Sequence, residues 1–306
     1  MMNLNMINKL IKKTRRWHKK TGFSLFQRAA GYFEQKKKET IFSVINALGV
    51  RPGVANDAAS EPSRIIWICW FQGLESAPAL VKRCVESIQN NAGDSSIIII
   101  TEDNYDDYVL LPDSILLKYK SGLIGKAHFS DILRCCLLYQ YGGVWLDSTI
   151  FLSKKLPDAI FQTPFCSLRF DYVGNFESIS KGFWTTYFLA SEKNGYLIGR
   201  VKEALVSYWE KHSDVIDYFL MDYIFLYYFE SDPSAKKMIL TQPVLGNKRF
   251  LLKEIMNEQL SPELKEALAR DKAGIYKLSY KTHFRTEAHG QPTVYSKILD
   301  GTFRLE

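Results

Sequence analysis

Cysteine is scarce in this sequence, and its spacing excludes two classes of protein. Five cysteines occur among 306 residues, at Cys69, Cys84, Cys135, Cys136 and Cys166. The odd number and the lack of any C-x-x-C spacing argue against a disulfide framework and against a zinc site. We therefore expect free thiols and a reducing, cytoplasmic environment.

Long apolar runs are absent as well. No uninterrupted apolar stretch approaches the roughly 20 residues that a membrane-spanning helix needs. The basic start of the chain has no apolar core of the signal-peptide type. Hydrophobic residues still make up 46% and aromatic residues 14% of the chain, which is too many for global disorder. The sequence thus predicts one large core, or one domain with an extension.

Positive charge is concentrated at one end. Residues 1–40 contain eleven Lys and Arg but two Glu, a net charge of +9, whereas the whole chain carries +7. The remaining residues therefore sum to −2, so the basic character belongs to the N-terminal segment.

Apolar positions in the basic segment fall on one side of a predicted helix. They are Leu4, Ile7, Leu10, Ile11 and Trp17. A basic amphipathic helix with aromatic anchors suits an anionic membrane surface; the alternative is a helix that packs on the main domain or on another subunit. Nucleic acid is a weaker third alternative, because nothing downstream continues the basic surface. We predict an anionic membrane contact through residues 1–50 and no nucleic-acid partner.

A change in composition separates this extension from the rest. RPGVANDAASEPS, residues 51–63, is rich in Pro, Gly, Ala, Ser and Asp, as linkers are. We predict a basic amphipathic extension with its linker over residues 1–60 and a main domain over residues 61–306.

The main domain begins with alternating strand and helix patterns. RIIWICWF (64–71) and SSIIIIT (95–101) are short apolar runs of the kind found in buried parallel strands. Between them, residues 77–93 have helical apolar spacing and end at a glycine. This order predicts a right-handed βαβ unit and an α/β fold, in which ligands gather where the strands end.

A later helical segment carries two charges. KAHFSDILRCCLLYQYGG (126–143) is mostly apolar, but Asp131 and Arg134 lie at i and i+3 on a side that also bears Cys135 and Leu138. One interpretation is an intrahelical ion pair, which stabilises a helix by about 0.2–0.5 kcal/mol. The other is that both side chains face a polar ligand in a cleft.

The next segment, YGGVWLDSTI (141–150), delivers one carboxylate to the end of a predicted strand. Alternate residues of an extended segment point the same way, so Asp147 and Thr149 share a face. Carboxylates are the usual anchors of Mg²⁺ and Mn²⁺, and a threonine hydroxyl is a neutral oxygen ligand. A pair with one charge predicts weakened metal binding, unless another group compensates.

Three segments of the main domain form an ordered set of motifs: R-I-I-W-I-C-W-F-Q-G, then T-E-D-N-Y, then A-H-F-S-D-I-L-R-C-C-L-L-Y-Q-Y-G-G-V-W-L-D-S-T. This combination resembles the bacterial capsular polysaccharide synthesis glycosyltransferases, relatives of glycosyltransferase family 32. The resemblance implies a GT-A fold, which is a Rossmann-like α/β domain that binds a nucleoside diphosphate sugar, here with a helical N-terminal extension.

The resemblance also implies roles for particular residues. Asp147 matches the first Asp of the family's D-x-D motif and Thr149 replaces the second, which implies a Mn²⁺ or Mg²⁺ cofactor on an incomplete pair. A basic C-terminal segment over the diphosphate makes Lys281 a donor ligand and His283 a further metal ligand. The other residues expected to bind the nucleotide sugar are Trp70, Phe71, Gln72, Asn104, Asp131, Arg134 and Ser148.

Two further candidates lie in aromatic-rich segments. Asp222 interrupts DYFLMDYIFLYYF (217–229), where it is either a paired structural residue or a contact to the acceptor or the reacting sugar. Trp184 lies in residues 175–194, whose composition suits a sugar site, although core packing is the favoured interpretation of this indole. Asp147 and Asp222 are the predicted catalytic residues, and no nucleophile is assigned.

The function implied is transfer of a hexose from a nucleoside diphosphate sugar, with UDP as the first choice. The acceptor would be a capsular or other surface polysaccharide, lipid-linked or polymeric, and the configuration would be retained. The expected location is peripheral, at the cytoplasmic face of the plasma membrane. The alternative is a non-catalytic GT-A-fold assembly partner in a polysaccharide synthesis complex, which the missing second Asp supports.

Overall fold

The computed structural model describes residues 3–50, 62–171 and 178–305. In these residues the strands are β1 (Ile65–Cys69), β2 (Ser96–Ile100), β3 (Gly143–Asp147), β4 (Ile150–Leu152), β5 (Phe165–Ser167), β6 (Phe188–Ser191), β7 (Ile275–Lys277), β8 (Glu287–Ala288) and β9 (Gln291–Pro292). The α-helices are α1 (Leu4–Thr21), α2 (Ser24–Ala47), α3 (Ala79–Asn90), α4 (Tyr105–Tyr108), α5 (Asp113–Lys120), α6 (Lys126–Tyr141), α7 (Ala159–Gln162), α8 (Tyr196–Lys211), α9 (Leu220–Ser231), α10 (Pro233–Thr241), α11 (Leu251–Glu254), α12 (Pro262–Ala269) and α13 (Val294–Leu299).

A five-stranded mixed sheet lies at the centre, with strand order β2-β1-β3-β6-β5. Strand β1 pairs in parallel with β2 and with β3, and β6 is antiparallel to both β3 and β5. Helix α3 connects β1 to β2, so the predicted βαβ unit and the α/β class are confirmed. The GT-A assignment stays a prediction.

Both faces of the sheet are covered, which explains why its strands are apolar at successive positions. On one face, Trp67 and Trp145 belong to a core that includes residues of α2, α6, α8 and α9. On the other face, Ile66, Ile68 and Val144 belong to a core shared with α3 and α7. A third cluster joins α3, β4 and β7 to the C-terminal helices.

The N-terminal extension is a hairpin of helices α1 and α2 that packs on the main domain. Two residues of the predicted stripe, Ile7 and Ile11, are buried, whereas Trp17 is 44% exposed. Helix α2 contributes Ile41 and Ile45 to the larger core. The packing alternative for this segment is thus realised along one side of the hairpin, and the membrane contact stays a prediction.

The connection from the hairpin to the sheet lies largely outside the described residues, because the predicted linker spans 51–63 and residues 51–61 are not among them. Among the helices that the structure does describe, none is both long enough and apolar enough to cross a bilayer.

Candidate donor-binding site

The carboxyl ends of the three parallel strands lie side by side, since Cys69 pairs with both Ile100 and Asp147. Strand β3 comes this close to β1 because it starts with Gly143, whose φ is +94°. A Cβ at this residue would lie 2.3 Å from the carbonyl oxygen of Ile65. The glycine therefore allows the register that places Asp147 at the ligand-binding edge of the sheet.

Asp147 accepts two hydrogen bonds and lies near a guanidinium group. The indole nitrogen of Trp145 donates to Oδ1 at 3.1 Å, and Lys277 Nζ donates to Oδ2 at 2.7 Å. The Nη2 atom of Arg134 lies 3.7 Å from Oδ1. Burial acts to raise the pKa of Asp147, but the charges of Lys277 and Arg134 outweigh it, so this pKa lies below its ordinary value. Asp147 is therefore ionised at neutral pH.

Lys277 also binds the residue that replaces the second Asp. Its Nζ donates to Oγ1 of Thr149 at 2.7 Å, so one ammonium group bridges Asp147 and Thr149. Pairing of β4 with β7 brings Lys277 there, because Ile150 lies opposite Lys277 in the antiparallel register. The predicted shared face of Asp147 and Thr149 is confirmed, and a lysine lies on it.

Asp131 and Arg134 join this group from helix α6. Arg134 Nη2 lies 3.2 Å from Oδ1 of Asp131, and its Nη1 donates to the carbonyl oxygen of Thr186. Its guanidinium carbon lies 5.0 Å from the centre of the Trp145 ring. Because Arg134 also reaches Asp147, the pair is more than an intrahelical ion pair. We name Asp131, Arg134, Asp147, Thr149 and Lys277 the sheet-edge cluster.

Two carboxyl groups beside Arg134 have raised pKa values. Burial raises the pKa of Asp131 to about 7, although the Arg134 charge opposes the shift. Burial likewise raises the pKa of Asp222 to about 6, although the hydrogen bond from Trp184 opposes it. Oδ1 of Asp222 accepts this bond at 3.0 Å. Carboxyl groups with pKa values near neutrality can exchange protons at physiological pH.

A large cavity, of about 780 Å³, lies beside the sheet-edge cluster. Asp222, Thr186 and Tyr187 line it from the main domain, and Ile11 and Lys12 line it from the hairpin. Thr186 is the residue whose carbonyl binds Arg134, and the Tyr187 ring lies 4.8 Å from Lys277 Nζ. Two residues that line the cavity therefore contact Arg134 and Lys277 of the charged cluster.

A second cavity, of about 690 Å³, is lined by Phe71 and Gln72 after β1, by Glu102 after β2, and by Lys126 at the start of α6. Phe71 is 7% exposed, with its ring centre 5.9 Å from that of Phe129, so most of its surface packs in the core. Gln72 is exposed. The nucleotide contacts of Phe71 and Gln72 stay predictions. The small exposed surface of Phe71 leaves limited room for a base to stack on its ring.

Trp70 and Asn104 have structural partners at the same edge. Asn104 accepts a hydrogen bond from the backbone of Thr101 at 2.8 Å and donates one to the carbonyl of Ile99 at 3.0 Å. Its amide therefore shapes the loop after β2. Trp70 meets the ring of Tyr280 edge to face at 5.6 Å. Ser148, between Asp147 and Thr149, is 7% exposed. The roles of these three residues in nucleotide binding stay predictions.

The residues predicted to complete a metal site do not fit one. His283, the predicted further metal ligand, is exposed in the segment after β7, as is Lys281, the predicted donor ligand, and Lys277 is the residue that contacts Asp147 and Thr149. Across the described ranges, no three His, Cys, Asp or Glu residues are grouped so that they could hold a metal. The donor set at Asp147 is one carboxylate and one hydroxyl, both already bonded to an ammonium group, which disfavours a divalent cation there.

Trp184 is fully buried, with its ring stacked on Phe225 at 5.8 Å. Core packing is thus confirmed, and stacking of this indole on a sugar is excluded because no ring face is accessible. Its contribution to the site is the hydrogen bond to Asp222. Part of the segment predicted as a sugar site, residues 175–177, lies outside the described residues.

Lys277 is the functional candidate that sequence patterns did not select. It belongs to the late basic segment that includes Lys281 and His283, but no local spacing distinguishes it from them. Its position follows from the pairing of β4 with β7, which joins residues 127 positions apart, Ile150 and Lys277. A motif search has no access to such pairing.

The fold and this edge define a class of protein. It is an α/β protein with two carboxyl groups and two cations where its parallel strands end, the edge at which open α/β sheets gather ligands.

Comparison with known proteins specifies the class. A family model described as "Capsular polysaccharide synthesis protein" matches residues 24–298. The chain therefore belongs to the capsular polysaccharide synthesis protein family, and the resemblance to this family is confirmed.

Two curated relatives are glycosyltransferases by name. The O-glycosyltransferase PaGT of Phomopsis amygdali is 27% identical over 118 residues, which are 36% of this chain and 29% of that protein. The glycosyltransferase afumC of Aspergillus fumigatus is 25% identical over 158 residues, 49% of this chain and 39% of that protein. The matches thus span less than half the length of either relative.

A solved structure, the PaToxG glycosyltransferase, aligns over 79% of this chain and 95% of its own, with 16% identity and a TM-score of 0.39. At that score the likeness carries no argument about fold or function.

Proposed function

We propose that this chain is a glycosyltransferase that moves a hexose from a nucleoside diphosphate sugar, UDP-sugar first, to a polysaccharide or lipid-linked acceptor. The observation that carries the proposal is the sheet-edge cluster, in which Arg134 and Lys277 converge on Asp147 at the carboxyl ends of parallel strands. Membership of the capsular polysaccharide synthesis family supports the same reaction class.

In this proposal, each of the two cavities binds a different part of the donor, and one of them also binds the acceptor. The cavity of about 690 Å³, beside Gln72 and Lys126, takes the nucleoside, because it lies where β1 and β2 end. The diphosphate lies against Arg134 and Lys277. The cavity of about 780 Å³ takes the transferred sugar and the acceptor, because Asp222 opens into it.

The chemistry follows from that placement. The bond from the anomeric carbon to the diphosphate oxygen breaks, and its electron pair leaves with the diphosphate, whose charge Arg134 and Lys277 stabilise. The acceptor hydroxyl oxygen bonds to the anomeric carbon, and its proton passes to a base. Asp222, with a pKa of about 6, is the group we assign to that proton. Retention of configuration is part of the proposal, so the acceptor oxygen bonds to the anomeric carbon on the face that the diphosphate leaves.

We also propose that the hairpin brings the protein to the cytoplasmic surface of an anionic membrane. Exposed apolar residues, namely Trp17, Phe23 and Leu25, are grouped around the turn between α1 and α2, with Lys19 and Lys20 beside them. Basic residues near an anionic surface contribute about 1 kcal/mol each, and apolar side chains anchor in the interface. A lipid-linked acceptor would be met at that surface.

A screen of sugar nucleotides tests the reaction class. Purified full-length protein is incubated with UDP-sugars and GDP-sugars, with EDTA and separately with Mn²⁺, and release of free nucleotide is measured. We expect slow hydrolysis of one donor, because water can replace the acceptor. Nucleotide binding without hydrolysis or transfer to any acceptor would instead support the non-catalytic assembly partner. Binding of UDP and GDP is measured in parallel by calorimetry, and its absence under every condition would overturn the enzyme proposal and favour the non-catalytic assembly partner.

A further inference from the structure

The ammonium group of Lys277 lies where two oxygen ligands face each other. Its distances to Oδ2 of Asp147 and to Oγ1 of Thr149 are both 2.7 Å. These are the two residues that a D-x-D motif would offer to a divalent cation. A cation is thus already present between them, and it is covalently part of the protein.

The backbone around Lys277 is held on both sides. Its own N–H donates to the carbonyl of Arg249 at 2.7 Å, and the N–H of Leu278 donates to the carbonyl of Thr149 at 2.9 Å. Below the side chain, the Tyr187 ring lies 4.8 Å from Nζ. Lys277 therefore points at the sheet edge because β7 is bound there, and little rotamer freedom is lost on ligand binding.

One N–H donor of the Lys277 ammonium group is left to bind a ligand. A lysine ammonium has three N–H donors, and in the residues that the structure describes two of them go to Asp147 and Thr149. Arg134, 3.7 Å from the other oxygen of Asp147, adds a second fixed cation. Two cations therefore border the same carboxylate from opposite oxygens, and Lys277, whose side chain is 20% exposed against 8% for Arg134, is the more accessible of the two to an anion.

Charge balance disfavours an added metal ion. The sheet-edge cluster contains two carboxyl groups and two cations, so its formal charge is zero when both carboxyls are ionised and positive when one is protonated. A divalent cation at Asp147 and Thr149 would displace Lys277 and lie close to two like charges. A diphosphate brings the opposite sign and is complementary to Lys277 and Arg134.

We propose that Lys277 is the built-in cation of this site, so that the chain binds the diphosphate of its donor without a divalent metal. Thr149 is then a hydrogen-bond partner that orients Lys277, and a second Asp would be unnecessary. This inference rests on the proposed donor site and identifies how that site neutralises the leaving diphosphate.

Calorimetric titration with UDP, and with GDP if UDP does not bind, tests the inference without requiring turnover. We expect wild-type full-length protein to bind equally in EDTA and in Mn²⁺. Lys277→Ala should weaken binding about 10- to 100-fold, as expected for loss of a charge-assisted hydrogen bond. Lys272→Ala, an exposed lysine just before β7, is the matched control and should bind like wild type.

A double variant, Thr149→Asp with Lys277→Ala, restores a carboxylate pair and removes the ammonium. Its nucleotide binding should be weak in EDTA and recover in Mn²⁺. Thermal unfolding shows whether each variant is folded. The comparison of wild-type binding in EDTA and in Mn²⁺ does not depend on any variant. Wild-type binding that appears only with Mn²⁺ would overturn the inference and leave the donor site standing. Absence of UDP and GDP binding with and without Mn²⁺ would overturn the proposed function itself.

Discussion

Asp147 and Asp222 are both influenced by Arg134, yet their surroundings shift their pKa values in opposite directions. Asp147 has two nearby cations, so its pKa is low and its charge is permanent at neutral pH. Asp222 has an indole donor and a buried position, so its pKa is about 6. The first environment suits an anchor for cations that bind phosphate, and the second suits a group that accepts a proton. One site thus separates two tasks by electrostatics.

The largest effect is expected when the negative charge of Asp147 is removed. Asp147→Asn should lower the rate of sugar transfer or donor hydrolysis about 10²- to 10³-fold, the cost of losing one preorganised electrostatic contact, because Lys277 and Arg134 lose their shared carboxylate. Initial rates measure this. Asp94→Asn, an exposed residue at the amino end of β2, is the control. Wild-type turnover in Asp147→Asn would remove Asp147 from the mechanism.

The next test concerns proton transfer at Asp222. Only the ionised carboxylate accepts a proton, so the wild-type transfer rate should rise as pH increases through about 6. Asp222→Asn should be slower by about 10²-fold, the lower end for a lost general base, and should lack this rise. The measurement is kcat against pH from 5 to 8. The same rise in both proteins would assign the titration to another group.

Substitution of the two carboxylates should change the free energy of unfolding at pH 8 in opposite directions. The raised pKa of Asp222 means that its stabilising contribution is complete below about pH 4 and is lost as pH rises through 6. Asp222→Asn should therefore be more stable than wild type at pH 8, by about 1 to 3 kcal/mol, with little difference near pH 4. Asp147 has a lowered pKa, so its contribution is present above pH 4 and is lost on acidification. Asp147→Asn should accordingly be less stable than wild type at pH 8.

Urea unfolding of wild type and both variants at several pH values measures these differences. The comparison between the two carboxylates fails if both substitutions change the free energy of unfolding in the same direction at pH 8.

The smallest effect is expected at the hairpin, which lines the Asp222 side of the site. Phe23→Ser with Leu25→Ser should weaken binding to vesicles of phosphatidylcholine and phosphatidylglycerol about 10-fold, because exposed apolar anchors are lost. Leu110→Ser with Leu117→Ser removes similarly exposed side chains from the main domain and serves as the control. Equal vesicle binding by both double variants would contradict the hairpin as the membrane contact.

Local patterns were sufficient for much of the sheet and its edge. The apolar runs of β1 and β2, the helical spacing of α3 and α6, and the two glycines at the start of β3 each have a period or a breaker that is visible in sequence. Asp131 and Arg134 stood out because charges are rare on an apolar helix. The same patterns favoured Lys281 and His283 over Lys277, because a strand pairing between residues distant in sequence decides which of these side chains reaches Asp147. They also did not predict that Asn104 hydrogen-bonds to the backbone of its own loop.

By itself, the sequence determined the α/β class, the βαβ start, the strand that ends in Asp147, and the identity of the family, because all of these depend on neighbouring residues. The tertiary structure decided which groups meet Asp147. Pairing of β7 with β4 places Lys277 between Asp147 and Thr149, and burial gives Asp222 its raised pKa. Both effects depend on contacts across more than a hundred residues or on removal from water, and neither has a local signature in the chain.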